Sequence, residues 1–183
     1  MKISVFGKGH VGGGLADLWE RAGHQVTRLG RDGGDVSDAD AVLLAVPYGA
    51  IAGALDRLQR ITGKTVIDAT NRIGADPPAG FRSNAEFVKS KTNGPTAKSF
   101  NINFAALYGR LRDARAMPSN LWCGDDEARE IVQRLSRDAG YEAVYAGPLA
   151  NAAAQESLIG TIFAISQGGM GPFVYRIAPP DKL

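Results

Sequence analysis

Histidine and cysteine are scarce in this chain of 183 residues, which carries two of the first and one of the second. A lone thiol, Cys123, permits no internal disulfide, and no spacing of Cys and His outlines a metal site. No metal is therefore expected, and a reducing compartment, the cytoplasm, suits the composition. Neither His10 nor His24 stands with a nucleophile and a carboxylate in a hydrolytic triad. Long apolar runs are missing as well. The longest, residues 158–165, is far below the roughly 20 residues that cross a bilayer. The opening "MKISVFGKGHVGG" meets glycine too early to be a secretory signal. An excess of one charge is also lacking: a net +2 argues against a nucleic-acid partner held by bulk charge and leaves room for a local basic site. The expectation is thus no membrane and no nucleic acid.

What is present reads as a globular protein, 44% apolar and 22% charged, with a length that suits one domain and a full core. Residues 2–6 and 25–29 have the pattern of strands, and residues 11–21 that of a helix with Leu15, Leu18 and Trp19 on one face. "DAVLLAVP" and "KTVIDAT" are nearly continuous apolar strands, typical of a parallel sheet covered on both faces. Helices are expected over residues 50–60, 84–90, 125–140 and 149–166, with further strands at 96–100, "SNLWC" and "YEAVYA". No repeat, low-complexity segment or linker interrupts them. The alternation implies an α/β protein with a Rossmann-like, doubly wound, mainly parallel sheet in one domain, 1–183. Residues 149–183 would form a C-terminal helix and tail that completes a second-substrate side or a dimer contact. The crowded apolar second half of that helix favours a homodimer.

Gly7, Gly9 and Gly12 form G-x-G-x-x-G directly after the first strand and at the start of the first helix. In that context the three glycines serve a tight turn, close approach of a diphosphate to bare backbone, and close helix–strand packing. Free N–H groups at the helix start then hold the anion. His10 reads as a loop residue facing phosphate or solvent, and His24 as structural. At the end of the second strand an acid would bind the ribose hydroxyls of NAD, but the chain has "TRLGRD". Arg31 is placed to fork onto a 2′-phosphate, which favours NADP(H). Arg28 either assists it or decorates the exposed side of the strand.

The blocks "GKGHVGGGLA…AGHQVTRLGR", "VLLAVPYGAI", "VIDATNRIG", "SNAEF", "AKSFN", "LWCGDDEAREIVQRL" and "AGPLANAAAQES" span nearly the whole chain. In this order they resemble the NADP oxidoreductases that use the deazaflavin coenzyme F-420, and are similar to the oxidoreductase domain of STEAP-type metalloreductases. The resemblance implies NADP(H) as cofactor and direct hydride transfer to a deazaflavin F-420 or flavin co-substrate. It implies that Gly7, Gly9, His10, Val11 and Gly12 surround the diphosphate and Arg31 the 2′-phosphate. Val46, Pro47 and Tyr48 would flank the cofactor, with Ala69, Thr70 and Asn71 near the nicotinamide. The family usually has Ser or Thr before the arginine; here that place is Gly30, so one phosphate hydrogen bond is missing. On the second-substrate side, Met170, Gly171 and Pro172 could wall a flat ring and Asn101 and Asn103 orient it, or the tail packs on its own sheet or a dimer partner.

Such hydride transfer needs stacked rings and exclusion of water rather than a compulsory general base, so no catalytic side chain is assigned. Cys123 reads as a buried core residue. The alternatives are a non-catalytic dinucleotide sensor or docking module, and a small imine or carbonyl reductase whose proton donor could only be Tyr48 or Asp68. Arg31→Ala is expected to weaken NADPH binding far more than NADH binding, by about 1–3 kcal/mol. Titration of both cofactors checks this, and equal losses would show that Arg31 does not read the 2′-phosphate.

Overall fold

The computed structural model describes residues 1–182. Strand β1 (Lys2–Phe6) leads into helix α1 (His10–Arg21), and β2 (Gln25–Leu29) returns parallel to β1 with Ile3 opposite Val26. A two-residue β3 (Gly34–Asp35) precedes β4 (Ala41–Leu44), which lies on the other side of β1. Helix α2 (Ile51–Leu55), β5 (Leu58–Gln59) and β6 (Thr65–Asp68) follow. Helix α3 (Asn84–Thr92), β7 (Thr96–Ser99) and β8 (Ser119–Gly124) come next. Helix α4 (Arg129–Asp138), β9 (Glu142–Tyr145) and α5 (Ala152–Ile165) complete the order. Seven strands form one sheet in the order β2-β1-β4-β6-β7-β8-β9, parallel throughout except between β7 and β8; β3 and β5 pair separately.

Parallel neighbours need crossovers, and these decide where a ligand can sit. From β1 the chain moves outward to β2, then returns past β1 to β4. The direction of winding therefore reverses between β1 and β4, and the segments that follow them part to opposite faces. A crevice opens at the carboxyl ends of those two strands.

Strand alternation supplies both cores. Ile3, Val5, Leu43 and Ile67 face one way, against Leu15 and Trp19 of α1 and Leu135 of α4. Phe6, Val42, Leu44 and Val66 face the other, against Ile51 and Leu55 of α2 and Val88 of α3. Trp19 is fully buried, packs edge-on to Phe100 at 5.8 Å, and donates its indole N–H to the Leu135 carbonyl at 2.9 Å.

The expected helix over residues 50–60 ends early, at Leu55. Leu58 is buried, but as part of β5, opposite Gly34. A helical period and a two-residue strand both turn Leu58 inward, so the apolar pattern does not separate them. The last expected helix is α-helical over Ala152–Ile165, then widens over Ser166–Met170, where Gly169 has φ +112°. No helix among the described residues is long and apolar enough to cross a membrane.

A buried cluster of charged side chains lies inside this apolar frame. Register sets Lys98 of β7 directly opposite Asp68 of β6. Lys98 Nζ donates to Asp68 Oδ2 at 2.9 Å and to the Thr70 carbonyl at 2.5 Å, and meets Glu156 Oε1 of α5 at 3.0 Å. Glu156 also accepts from Arg72 Nε at 2.8 Å and from the Asn84 and Ala85 N–H groups that open α3. Two cations and two carboxylates thus balance, and Lys98, Asp68 and Glu156 have no exposed side-chain surface. Lys98→Met removes the central cation, strands the buried Asp68 and leaves Glu156 to Arg72 and the α3 N–H groups. Urea titration should show a loss of about 3–5 kcal/mol; an unchanged midpoint would contradict this role.

Candidate functional site

The turn between β1 and α1 sits in the crevice, and its glycines divide by the cause that demands them. Gly7 has φ +115°, and a Cβ there would fall 2.1 Å from the Ala45 carbonyl oxygen beyond β4. At Gly12 a Cβ would fall 2.0 Å from the Gly7 carbonyl oxygen and 3.2 Å from the Ala45 Cβ. These two are required by the chain's own packing. Gly9 is not: a Cβ there meets nothing within 4 Å, and its φ of −75° suits any residue.

Gly9 is also the N-cap of α1, and no side chain caps that end. Ser, Asp or Asn at this position would satisfy an orphan N–H and stabilise the helix by roughly a few tenths of a kcal/mol over glycine. The chain forgoes that cap, and α1 carries no acid in its first turn. The first N–H groups of α1 have no intrahelical acceptors, and the helix dipole adds positive potential there. An open face with free donors and no side chain is what a diphosphate needs.

The other expected dinucleotide residues follow the neighbouring strands at the same sheet edge. Val46, Pro47 and Tyr48 follow β4, and Ala69, Thr70 and Asn71 follow β6, the next strand over. Val46 and Tyr48 rest on the second core, while Pro47 is exposed. His10 is exposed at the first residue of α1, and Val11 packs partly against the first core. Ala69 and Thr70 are buried. Thr70 takes its place through the cluster described above: its N–H donates to Asp68 Oδ1 at 2.8 Å and its hydroxyl accepts from Asn84 Nδ2 at 2.9 Å.

Two arginines near the end of β2 have different fates. Arg28 donates to Asp17 and Glu20 of α1, both at 2.6 Å, and hydrogen bonds to Glu20 first and Asp17 second raise its pKa. It braces the outside of α1. Arg31 is exposed and pairs with no carboxylate among the described residues.

The second-substrate residues separate. Asn71 and Asn101 exchange hydrogen bonds: Asn101 Nδ2 donates to Asn71 Oδ1 at 3.0 Å, and Asn71 Nδ2 to the Asn101 carbonyl at 2.5 Å. Gln155 of α5 donates to Asn101 Oδ1 at 2.9 Å and fixes it from behind. Asn103 instead turns inward, accepting from the Tyr175 hydroxyl at 2.8 Å and facing Asn120. Burial pushes the Tyr175 phenol up to about 12, so it remains a donor. Met170 is exposed, Pro172 is exposed, and Gly171 turns the chain at φ +70°. The tail beyond packs on its own sheet, with the Ser119 N–H bonded to the Tyr175 carbonyl at 2.8 Å. Since β8 runs against β7, Ser119 lies at the edge where the parallel strands end.

Beside Asn71 a cavity of about 400 Å³ opens between the 72–76 segment and α5, with Arg72, Ile73, Glu156 and Ser157 in its wall. Sequence reasoning does not single out Arg72, Glu156, Lys98 or Gln155 as functional residues. A lysine within the buried strand "TAKS" is the available signal, because such a cation requires buried acids close by. His24 is buried and bonded to Asp138 at 2.8 Å, far from this edge. Cys123 is buried, which pushes its thiol up to about 12 and keeps it unreactive. Among the described residues no group of His, Cys, Asp and Glu could hold a metal ion.

No family model and no curated protein matches the chain. Solved structures do. A candidate F-420-dependent NADP reductase from Arthrobacter sp. FB24 is 21% identical with a TM-score of 0.74, over 98% of this chain and 100% of that one. A hypothetical protein from Sinorhizobium meliloti is 24% identical with a TM-score of 0.66, over 82% and 86%. A reductive aminase from Aspergillus terreus, solved with NADPH and ethyl-5-oxohexanoate, is 16% identical with a TM-score of 0.67, and this chain covers 62% of it. At these identities the likeness establishes the fold, the doubly wound sheet anticipated from the strand pattern.

The glycines yield a paired test. Gly9→Ala should lower the thermal midpoint by no more than about 2–4 °C, the cost of alanine at an N-cap, while weakening dinucleotide binding, because only a ligand needs that space. Gly12→Ala should lower the midpoint whether or not ligand is present. Thermal unfolding with and without NADPH checks both, and a Gly9→Ala protein that binds normally would contradict the division.

Proposed function

We propose that this protein is an NADP(H)-dependent oxidoreductase that passes hydride between the nicotinamide and a flavin-type or deazaflavin, F-420-like, acceptor. The observation that carries this reading is Gly9, an uncapped and unobstructed helix start at a topological switch point. Arg31, exposed past β2 and paired with no carboxylate among the described residues, supports the phosphorylated dinucleotide. When bound, the nicotinamide supplies the hydride chemistry. The chain's own share is to hold the diphosphate at α1, to present an edge built from Ala69, Thr70 and Asn71, and to keep that edge rigid. We assign the acceptor to the cavity beside Asn71.

The burial of Asp68 against Lys98 supports a reaction without a protein proton donor. Reduction of an imine or carbonyl would call on Tyr48 instead, the half-buried phenol at this edge. The apolar side chains left exposed at the end of α5 and in the tail, Ile165, Met170, Val174 and Ile177, support a homodimer.

The test is purified protein with NADPH and, in turn, the deazaflavin coenzyme, FMN, FAD and a cyclic imine, followed at the nicotinamide absorbance band. Oxidation of NADPH with a ring acceptor is expected. Tight NADPH binding without turnover on any acceptor would make the protein a binding module, and turnover on the imine alone would make it an imine reductase. Sedimentation of the same sample as monomer only would reject the dimer.

A further inference from the structure

Lys8 is the second position of the G-x-G turn, and it reaches across to the end of β2. A Cβ built on Gly30 would stand 3.6 Å from Lys8 Cε and 3.7 Å from Lys8 Nζ, both ordinary van der Waals contacts. The pairing of β1 with β2 sets this up. Phe6 lies opposite Leu29, and the Gly7 N–H bonds to the Leu29 carbonyl at 3.2 Å, so the residues just past each strand emerge side by side. The ammonium of Lys8 therefore rests in contact with the place where a side chain of residue 30 would begin, one residue before Arg31 in the chain.

Lys8 is exposed, and like Arg31 it pairs with no carboxylate among the described residues. Arg28, on β2 itself, shows the contrast, with Asp17 and Glu20 both in hydrogen-bond contact. Nearby Asp35 is also spent, accepting from the Ser37 N–H at 2.7 Å and pairing with Arg60. A cation in contact with residue 30 and another on the next residue favour an anion that touches both. A phosphate monoester carries the charge and the acceptor oxygens to serve both: a planar fork from Arg31 and a point charge from Lys8.

We propose that Lys8 is a second reader of the adenosine 2′-phosphate, its ammonium replacing the hydroxyl that position 30 lacks. The inference rests on the NADP(H) reading above. Gly30 is then the opening through which Lys8 reaches the phosphate, and no phosphate ligand is lost. Lys8 sets cofactor specificity and takes no part in the hydride step.

The test measures dissociation constants for NADPH and NADH with the wild type, Lys8→Met, Gly30→Ser and the Lys8→Met/Gly30→Ser double variant. Lys8→Met should weaken NADPH about tenfold and leave NADH within about twofold, since an exposed charged hydrogen bond is lost. The double variant should recover part of that loss, because Gly30→Ser fits without a clash and restores a donor. Equal weakening of both cofactors by Lys8→Met would place Lys8 on the diphosphate and overturn the inference. So would unchanged NADPH binding. A wild-type protein that binds neither cofactor overturns the dinucleotide reading itself, an outcome distinct from either of these.

Discussion

A lysine with no exposed surface, Lys98, stands between Asp68 and Glu156, and the geometry of the ligand edge depends on it. Burying an ion is costly, and a buried ion pair often adds nothing beyond what well-packed apolar residues would. What this cluster secures is position. Asp68 is the last residue of β6, and its other oxygen holds the Thr70 N–H. Glu156 reaches from α5 to the start of α3 and to Arg72. Sheet, two helices and the 69–72 turn thus meet at one neutral group of charges. An apolar core can slide; a cation held by two carboxylates and a carbonyl cannot, without stranding a charge.

The ligand edge next to it is built by omission. Gly7 and Gly12 let α1 lie against the crevice between β1 and β4, and Gly9 leaves the helix start bare. Fixed order at Asp68–Thr70 and open backbone at Gly9 lie two strands apart on one sheet edge. A dinucleotide laid between them would have its diphosphate at α1 and its nicotinamide by Asn71, with Lys8 and Arg31 at the adenosine end. The reciprocal hydrogen bonds of Asn71 and Asn101 hold the 69–71 segment from the β7 direction.

Much of this is legible in the sequence, for a physical reason: the glycine turn, the strand periods and Arg31 are local features. Strands buried on both faces announce themselves as continuous apolar runs such as "AVLL". The parts that escape are nonlocal. β3 and β5 have two residues each, too few for any period. The antiparallel direction of β8 leaves no mark on its own alternation. Arg28 is ambiguous in sequence because its partners, Asp17 and Glu20, lie across a helix–strand packing. Lys8 looks like a filler position in a glycine motif, and Gly30 like a deficit. Only the distance between them joins the two. Of the two sequence readings, Asn103 orienting a ring or the tail packing on its own sheet, the fold-back of the tail shows the second, and it engages the Asn103 amide with Tyr175 and Asn120.

A phosphorylated dinucleotide laid along one sheet edge, from Lys8 and Arg31 past Gly9 to Asn71, is the central claim. A crystal structure of the protein with NADPH tests it most directly. The predicted result is a 2′-phosphate in contact with both Lys8 and Arg31, the diphosphate at the α1 N–H groups over Gly9, and the nicotinamide beside Asn71. A dinucleotide bound elsewhere, or one whose 2′-phosphate points away from both cations into solvent, would contradict it.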